Sequence, residues 1–335
     1  MPATQPQLPP VDDAHLPHIA VIGAGAWGVA LACAMASIAR VSLWGRTPIP
    51  PGSRTAPRLP SVTLPARVQP VVDLPHEADC ALLVVPTQAL RTASRTLHPI
   101  LAAECPVITC CKGLEQGTAL LPLEVLAETM PDRKRAVLSG PNFAIEVAKG
   151  LPAAATLAAS SRVFAQEMVT RLSTPDFRLY VSTDPLGVQL VSAAKNVIAI
   201  GAGICIGAGM GENARAALIT RALAELARLV EAMGENARSV YGLAGAGDLI
   251  LTCTGAGSRN YSLGVELGRG TPLETILGQR TTVAEGVLTA PTLRQVGPRY
   301  GVETPIIEAV SRLLAGELTP ERARAELFGR PTAAE

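Results

Sequence analysis

The chain has 335 residues, of which 48% are hydrophobic and 17% charged, a composition typical of a compact globular protein large enough for two domains. Aromatic residues account for only 3%, so small aliphatic side chains must build the core. Lys+Arg 29 nearly balance Asp+Glu 28, and a formal net charge of +1 offers no general attraction for nucleic acid or an anionic membrane.

Residues 1–17 contain several prolines and lack the basic start and apolar run of a secretory signal, so we expect a flexible lead-in. The longest apolar stretch, residues 197–210, is shorter than the ~18 residues of a membrane span and holds four glycines, which favours a buried helix. The seven cysteines form no C-x-x-C pair, which favours free thiols in a reducing compartment over disulfides or a zinc site. These features predict a cytoplasmic protein with no membrane span and no metal site.

In the first half, short apolar runs alternate with longer Ala- and Leu-rich runs, the pattern of a parallel sheet covered by helices. The short runs are almost entirely apolar, as in strands buried on both faces. We therefore predict an α/β, doubly wound domain of the Rossmann type over residues 18–184. The interval 48–75 carries eight of the 28 prolines, which predicts a surface loop in place of a crossover helix. Strands are expected at residues 18–22, 41–44, 81–85, 107–110, 136–138, 154–158 and 178–181.

The second half changes character after Asp184-Pro185, a favourable N-cap and N1 pair for a helix. No further series of strands follows, so we predict an all-α, substrate-binding domain over residues 185–335. One helix is expected over residues 213–233, capped by Asn213 and ended by Gly234. Its apolar stripe comprises Ile219, Leu223, Leu226, Val230 and Met233.

A glycine-rich turn follows the first predicted strand directly and opens a helix. In Gly23-Ala-Gly25-Ala-Trp-Gly28, the first glycine permits the tight turn, the second lets a pyrophosphate approach the backbone, and the third allows close helix packing. The N-terminus of the helix attracts the negative charge. This strand–turn–helix context, rather than the glycine pattern alone, predicts dinucleotide binding.

The end of the second predicted strand bears on the choice of cofactor. An acidic residue about 20 positions beyond the glycines would favour NAD, but the chain has Arg46 here, with Arg54 and Arg58 in the following loop. A guanidinium pairs well with a ribose 2′-phosphate, so NADP (NADPH) is the favoured cofactor. A solvated surface arginine is the alternative interpretation, and the use of NAD stays open.

Two lysines and one aspartate are candidates for catalysis. Lys112 follows a predicted strand, where the ligand crevice of such a sheet lies, although an ordinary surface lysine is the simpler interpretation. Lys195 lies in an apolar helical run, where lost hydration brings the pKa of an amine toward the range useful for proton transfer. The alternative is a side chain that extends to solvent. Asp248 follows a glycine-rich approach and can orient Lys195 or cap the next helix.

A phosphate site is predicted at Gly257-Ser258-Arg259-Asn260, where a helix begins. Backbone N–H groups, a hydroxyl and a forked guanidinium suit a phosphate, whereas a capped helix with an exposed arginine is the alternative. The polar interruption at residues 282–286 includes Glu285, whose carboxylate can reach a cofactor.

Seven motifs, in this order, resemble those of bacterial NAD(P)-dependent glycerol-3-phosphate dehydrogenases over residues 19–328. They are GAGAWG (23–28), CKGLE (111–115), SGPNFA (139–144), KNVIAIGAG (195–203), ALITRA (217–222), GLAGAGDLILTCTG (242–255) and GSRN (257–260). The resemblance implies a Rossmann-type domain followed by a helical domain, and a homodimer. It also implies the reversible NAD(P)H-dependent reduction of dihydroxyacetone phosphate to sn-glycerol 3-phosphate, the backbone precursor of phospholipids.

The same resemblance implies roles for single residues. It makes Lys195 the general acid of the reduction and the general base of the oxidation. Asn142 stands where the family usually has Ser or Thr, and the proline-rich stretch after Arg46 replaces an expected helix. The implied substrate contacts are Lys112, Gly140, Asn142, Lys195, Asp248, Ser258, Arg259 and Asn260. The implied cofactor contacts, beside the three glycines of the turn, are Ala26, Trp27, Arg46, Lys112, Ala144, Arg259, Val283 and Glu285.

Two other functions stay open at this point. A β-hydroxyacid dehydrogenase shares the two-domain plan and a lysine in the joining helix, but it binds a carboxylate in place of the phosphate. A non-catalytic NADP-sensing protein needs neither a proton donor nor a second anion site. The joint presence of Lys195, Asp248 and Arg259 therefore argues against a sensor.

Overall fold

The computed structural model describes residues 15–50, 52–255, 257–280 and 284–330. An eight-stranded sheet fills the first half of the chain and helices fill the second, so the predicted fold class is confirmed. The strands are β1 (His18–Ile22), β2 (Arg40–Trp44), β3 (Val68–Val71), β4 (Cys80–Leu83), β5 (Val107–Thr109), β6 (Arg135–Ser139), β7 (Ala153–Ala158) and β8 (Phe177–Ser182).

Five helices accompany the sheet and the others form the second half. The first five are α1 (Ala26–Met35), α2 (Leu90–Leu97), α3 (Pro122–Thr129), α4 (Ala144–Ala148) and α5 (Arg162–Leu172). The rest are α6 (Pro185–Gly207), α7 (Gly211–Ala232), α8 (Arg238–Tyr241), α9 (Asp248–Thr254), α10 (Arg259–Gly268), α11 (Leu273–Gly278), α12 (Glu285–Leu293), α13 (Val296–Arg299), α14 (Pro305–Leu314) and α15 (Pro320–Phe328). A short 3-10 turn covers Thr87–Ala89, and a π-helical turn covers Leu243–Gly247.

The strand order β3-β2-β1-β4-β5-β6-β7-β8 contains the arrangement of a dinucleotide-binding sheet in its first six strands. The order reverses between β1 and β4, which opens a ligand crevice at the carboxyl ends of these strands. Every neighbouring pair is parallel except β6 and β7, which are antiparallel, so the expectation of a purely parallel sheet was wrong there. Helix α4, between them, rises only about 7.5 Å and cannot carry the chain back along a strand of about 17 Å.

The proline-rich interval contains a strand that the sequence did not reveal. β3 pairs with β2 in parallel register, with Val68 opposite Val41, and it includes Pro70. The proline is accommodated because β3 is the edge strand, with a neighbour on one side only. The prediction of a loop over residues 48–75 was therefore wrong for residues 68–71. The seven strands that were predicted are all present, with ends within two residues of those expected.

Helix α6 is the central element of the second half. As predicted, Asp184 caps it, with its carboxylate accepting a hydrogen bond from the Gly187 N–H at 2.7 Å, and Pro185 lies in the first turn. The helix packs against α7, α9, α10, α12 and α14. Its length and composition would suffice to cross a membrane, but 83% of its most apolar window is buried inside the protein.

Helix α7 begins at Gly211, two residues before the predicted start. Asn213 is therefore an exposed residue of the first turn and not the cap, so this prediction was wrong. The reason is that Gly209, at φ 70°, turns the chain immediately after α6 and leaves only Met210 before the next helix. Gly234, at φ 87°, follows the end of α7 as predicted.

Helices α6 and α10 cross with their backbones in contact. A Cβ added to Gly203 of α6 would lie 2.2 Å from the Tyr261 carbonyl oxygen, and one added to Gly264 of α10 would lie 2.1 Å from the Ile200 carbonyl oxygen. Only glycine fits at these two positions, because backbone atoms cannot move aside. The crossing fixes α10, which begins at Arg259, against the helix that carries Lys195.

Candidate active site

The glycine turn has the shape that a dinucleotide requires. Gly23 has φ 123°, and a Cβ there would lie 2.2 Å from the Val84 carbonyl oxygen, so no other residue fits. Gly28 is packed just as closely, because its Cβ would lie 1.8 Å from the Gly23 carbonyl oxygen. The position of a Cβ on Gly25 is open space, at the uncapped N-terminus of α1. The turn therefore leaves room for a pyrophosphate, and the residues present fit a dinucleotide.

Ala26 and Trp27 form the first turn of α1, but the indole of Trp27 does not face the open side. Its ring packs edge-on against Phe177 in the core of the sheet, with ring centroids 6.3 Å apart. Its Nε1 is buried and has no hydrogen-bond partner among the residues described. The predicted cofactor contacts at these two positions must therefore come from backbone N–H groups.

Arg46 is exposed just beyond β2, where the adenosine end of a dinucleotide lies in this fold. Its side chain has no hydrogen bond or ion pair within the part of the chain that the structure describes. Of the two arginines in the following loop, Arg54 donates to the Pro65 carbonyl oxygen at 3.3 Å, whereas Arg58 is exposed. The Arg46 guanidinium is thus available to a ligand.

The two lysines meet at one carboxylate. The Lys112 Nζ donates to one oxygen of Asp248 at 2.6 Å, and the Lys195 Nζ donates to the other oxygen at 2.6 Å. Asp248 is 1% exposed, and the side chains of Lys112 and Lys195 are 16% and 10% exposed. The alternatives of a surface Lys112, a solvent-directed Lys195 and a merely capping Asp248 therefore do not describe this structure.

Burial and charge set the protonation of this cluster. Burial disfavours the ammonium form of Lys195 more than Asp248 stabilises it, and the pKa of Lys195 falls to about 8. Burial also opposes ionisation of Asp248, yet the two ammonium groups outweigh it and hold the pKa of that carboxyl below its usual value. The arrangement places an amine whose pKa lies near neutral pH beside an ionised carboxylate, which are the properties that a general acid requires.

The residues after β6 line the same crevice. The Gly140 carbonyl oxygen accepts a hydrogen bond from the Lys112 Nζ at 3.2 Å. The Asn142 Nδ2 donates to the Ala154 carbonyl oxygen at 3.2 Å, while its Oδ1 is buried without a partner in the described part of the chain. The Asn142 amide therefore keeps one acceptor unused. Ala144 begins α4, which packs against α1 of the glycine turn.

The predicted phosphate site lies at a capped helix N-terminus, an arrangement that the alternative interpretation of a capped helix with an exposed arginine also describes. The Ser258 Oγ accepts the Tyr261 N–H at 3.2 Å and caps α10, and the side chain of Arg259 is exposed without a partner within the described ranges. The Asn260 side chain is committed elsewhere: its Nδ2 donates to the Asn196 Oδ1 at 2.9 Å, and its Oδ1 accepts the Gly286 N–H at 3.1 Å. Asn260 therefore joins three helices in this structure.

Glu285 begins α12 and is half-buried. Burial raises the pKa of its carboxyl, while the positive charges of Arg259, Lys112 and Lys195 act in the opposite direction. The predicted cofactor residue Glu285 thus lies within electrostatic reach of both lysines and of Arg259. Val283, the other cofactor contact predicted in this segment, lies outside the described residues.

Sequence reasoning missed two polar residues of the cluster. The Lys195 Nζ donates to the Thr252 Oγ1 at 3.1 Å, and that hydroxyl donates to Asp248 at 3.2 Å. The signal was present, because residues four apart share one face of a helix and Thr252 follows Asp248 by four. Asn196 donates to the Lys112 carbonyl oxygen at 3.2 Å, a contact between segments that no local pattern reveals.

A Rossmann-type sheet carries an open glycine turn and one lysine, and the helices joined to it carry the second lysine and the aspartate that both lysines contact. This combination defines a two-domain nicotinamide-dependent dehydrogenase. Matches to family models narrow this class. The model for the N-terminal domain of NAD-dependent glycerol-3-phosphate dehydrogenase matches residues 18–165, and the model for the C-terminal domain matches residues 184–325. The chain belongs to the NAD-dependent glycerol-3-phosphate dehydrogenase family.

Individual relatives agree with this assignment. A protein of Gluconobacter oxydans named glycerol-3-phosphate dehydrogenase (NAD(P)+) is 62% identical over 95% of this chain and 99% of its own. One of the same name from Rhodospirillum rubrum is 43% identical over 95% and 94%. The crystal structure of a Coxiella burnetii glycerol-3-phosphate dehydrogenase superimposes with a TM-score of 0.88 at 34% identity, covering 94% of this chain and 99% of that one. A D-mandelate dehydrogenase shares the fold alone, at 13% identity and a TM-score of 0.59.

Proposed function

We propose that this chain catalyses the reversible, NAD(P)H-dependent reduction of dihydroxyacetone phosphate to sn-glycerol 3-phosphate. The observation that carries the proposal is the buried Lys112–Asp248–Lys195 cluster in the crevice of a dinucleotide-binding sheet. Family membership favours this reaction over that of a β-hydroxyacid dehydrogenase and over a non-catalytic sensor.

The residues divide the chemistry among them. When bound, the nicotinamide supplies the hydride that adds to the carbonyl carbon. Lys195 then gives its proton to the carbonyl oxygen in reduction and takes it back from the hydroxyl in oxidation. Asp248 holds the ammonium groups of Lys112 and Lys195 at one place, so that two positive charges face the oxygen that becomes an alkoxide. Arg259 and the N-terminus of α10 bind the phosphate and orient the small substrate.

The test is the loss of NADPH absorbance when purified protein meets dihydroxyacetone phosphate, repeated with NADH and with unphosphorylated dihydroxyacetone. Oxidation of the cofactor that requires the phosphate is the expected result. Oxidation with a β-keto acid in place of the phosphate would move the assignment to the hydroxyacid class. Binding of NADPH without turnover of any carbonyl would favour the sensor.

Arg259→Ala should raise KM for dihydroxyacetone phosphate by about 10- to 100-fold, because a charge-assisted, forked contact to the phosphate is lost. Steady-state kinetics at saturating NADPH measure this. The exposed Arg299→Ala at the end of α13 is a matched control and should leave KM unchanged. An unaltered KM in the Arg259 variant would remove the phosphate assignment.

Arg46→Ala should raise the dissociation constant of NADPH by about tenfold and that of NADH by less than about twofold. The reason is that only NADPH carries the 2′-phosphate with which a guanidinium at this position can pair. Fluorescence titration of the two cofactors gives both dissociation constants. Equal losses for the two cofactors would show that Arg46 does not recognise the 2′-phosphate. The preference for NADP rests on this result.

Four further expectations belong to the same proposal. The domain boundary is placed between residues 184 and 185, and it is supported by the separate family matches to residues 18–165 and 184–325. The protein is proposed to work in the cytoplasm as a homodimer and to supply glycerol 3-phosphate for phospholipid synthesis. The homodimer and the role in phospholipid synthesis follow from the family resemblance, whereas the cytoplasmic location follows from the sequence features. Size-exclusion chromatography with light scattering tests the dimer.

A further inference from the structure

We propose that Phe143 is a positioning residue that sets the distance between the proton-transferring lysine and the phosphate anchor. It thereby selects substrates whose phosphate lies at a fixed reach from the reacting carbonyl. The inference rests on the proposed function and deepens it. Phe143 acts through Gly255 and Gly257, which precede Ser258 and Arg259 in the chain.

The tip of the Phe143 ring lies against Gly255 and Gly257, which lie in the loop between α9 and α10. A Cβ added to Gly255 would lie 2.7 Å from the Phe143 Cζ and 3.2 Å from its Cε2. A Cβ added to Gly257 would lie 3.7 Å from Cε1 and from Cζ. Both glycines thus face the tip of the same ring, and Gly255 approaches more closely than any other residue could.

This loop leads directly into the phosphate site. Gly257 is followed by Ser258, which is 5% exposed and caps α10, and then by Arg259. The contact between Gly257 and the ring therefore helps to fix the positions of the capping Ser258 and of the Arg259 guanidinium. The body of α10 is fixed separately by its glycine crossing with α6, so the ring acts on the first turn of the helix.

The segment that carries Phe143 also contacts the proton-transfer cluster. The Gly140 carbonyl oxygen accepts a hydrogen bond from the Lys112 Nζ at 3.2 Å. Pro141 packs against the turn before Asp248, since a Cβ on Gly247 would lie 3.5 Å from the Pro141 Cγ. Residues 140–143 thus form a short template that touches the cluster at one end and the phosphate loop at the other.

The length of the substrate explains why the position of these residues matters for binding. In dihydroxyacetone phosphate a single CH2–O unit separates the carbonyl carbon from phosphorus, so the two anchor points must lie at one short distance. Removing the ring releases the phosphate loop, whereas the contacts of Gly140 and Pro141 leave the lysine cluster in place. The affinity for the phosphate group should then fall, while the rate of the chemical step stays nearly unchanged.

The decisive variant is Phe143→Leu, with Phe164→Leu as the matched control. Phe164 is 7% exposed in the sheet core on α5, so the control makes the same substitution away from the crevice. For Phe143→Leu we expect KM for dihydroxyacetone phosphate and the inhibition constant of inorganic phosphate each to rise about tenfold. We expect kcat to stay within about threefold, and kcat/KM for unphosphorylated dihydroxyacetone to stay within about twofold. Phe164→Leu should lower the melting temperature and leave all these constants unchanged.

Three results would overturn the inference. The first is a KM and a phosphate inhibition constant within twofold of the parent, and the second is an equal loss with unphosphorylated dihydroxyacetone. The third is the same rise in Phe164→Leu, which would trace the effect to general destabilisation. If Phe143→Leu does not fold, Phe143→Met is measured in the same way.

The parent chain separates this inference from the proposed function. If the parent fails to oxidise NADPH with dihydroxyacetone phosphate, the proposed function fails before any variant is compared. Calorimetric titration of inorganic phosphate into the parent and into Phe143→Leu then still tests the positioning role. Weaker phosphate binding in the variant supports it, and equal binding or no binding to the parent overturns it.

Discussion

Lys195→Met is expected to lower kcat for the reduction of dihydroxyacetone phosphate by about 100- to 10,000-fold, the contribution of a positioned general acid. The reason is that the ammonium that gives its proton to the carbonyl oxygen is gone, while methionine fills its volume. The dissociation constant of NADPH should change by less than about twofold, because Lys195 lies on α6 and not in the glycine turn. Single-turnover kinetics and a fluorescence titration measure the two quantities.

Lys134→Met is the matched control, since Lys134 is exposed at the start of β6 and should leave kcat unchanged. If cofactor affinity fell in parallel with the rate in Lys195→Met, the lysine would be a binding residue and not the acid. A rate within tenfold of the parent would remove Lys195 from the chemistry altogether.

The pH dependence of the parent gives the same assignment an independent test. With the pKa of Lys195 lowered to about 8, the ammonium is lost as the pH rises through that value. In reduction, which needs the protonated amine, kcat/KM should therefore fall above about pH 8. In oxidation, which needs the free amine, kcat/KM should rise over the same range. Both limbs should be absent from the residual activity of Lys195→Met.

Asp248→Asn carries the second large expected effect. Two ammonium groups would lose the carboxylate that each contacts at 2.6 Å, and the free energy of unfolding should fall by about 3–5 kcal/mol. Since the charge of Asp248 raises the pKa of Lys195, its removal should move the alkaline limb of the reductive kcat/KM to lower pH. At neutral pH the reductive kcat/KM should fall at least about tenfold. Chemical denaturation and a pH–rate profile measure these changes.

Asp132→Asn removes a carboxylate from an exposed pair with His98 and serves as the control. It should leave both the stability and the pH profile nearly unchanged, because solvent screens an exposed pair. An unshifted alkaline limb in Asp248→Asn would show that the carboxylate does not tune Lys195. Unchanged stability would contradict the bridging role that the two hydrogen bonds indicate.

Several site residues could be predicted because their signals are local. The glycines at 23, 25 and 28 follow a buried strand, and Lys195 interrupts an apolar helix, so each position differs from its own neighbours in the sequence. The helix start at Ser258 was equally visible, since a hydroxyl at an N-cap has a local partner three residues on. Steric and hydration costs that act over a few residues can therefore be recognised from one amino-acid sequence.

Other features depended on contacts between distant segments. Asp248 and Lys112 are 136 positions apart, and their pairing follows from where β5 ends and α9 begins in the fold. Asn260 was predicted to touch the substrate, yet its amide side chain joins α6 and α12 through Asn196 and Gly286. The strand β3 was hidden by Pro70, since only its place at the sheet edge makes proline acceptable there.

The order of apolar runs, glycines and helix caps determined by itself the sequence of a Rossmann-type domain and a helical domain, the dinucleotide turn, and the place of one lysine within an apolar helix. Backbone conformation and the cost of burying a charge depend on a few neighbouring residues. They can therefore be recognised in the sequence without knowledge of tertiary contacts. The tertiary structure alone decided that one carboxylate contacts two lysines, that β6 and β7 run antiparallel, and that Phe143 meets Gly255 and Gly257. These are pairings across the fold, and their energies depend on distances that no local pattern contains.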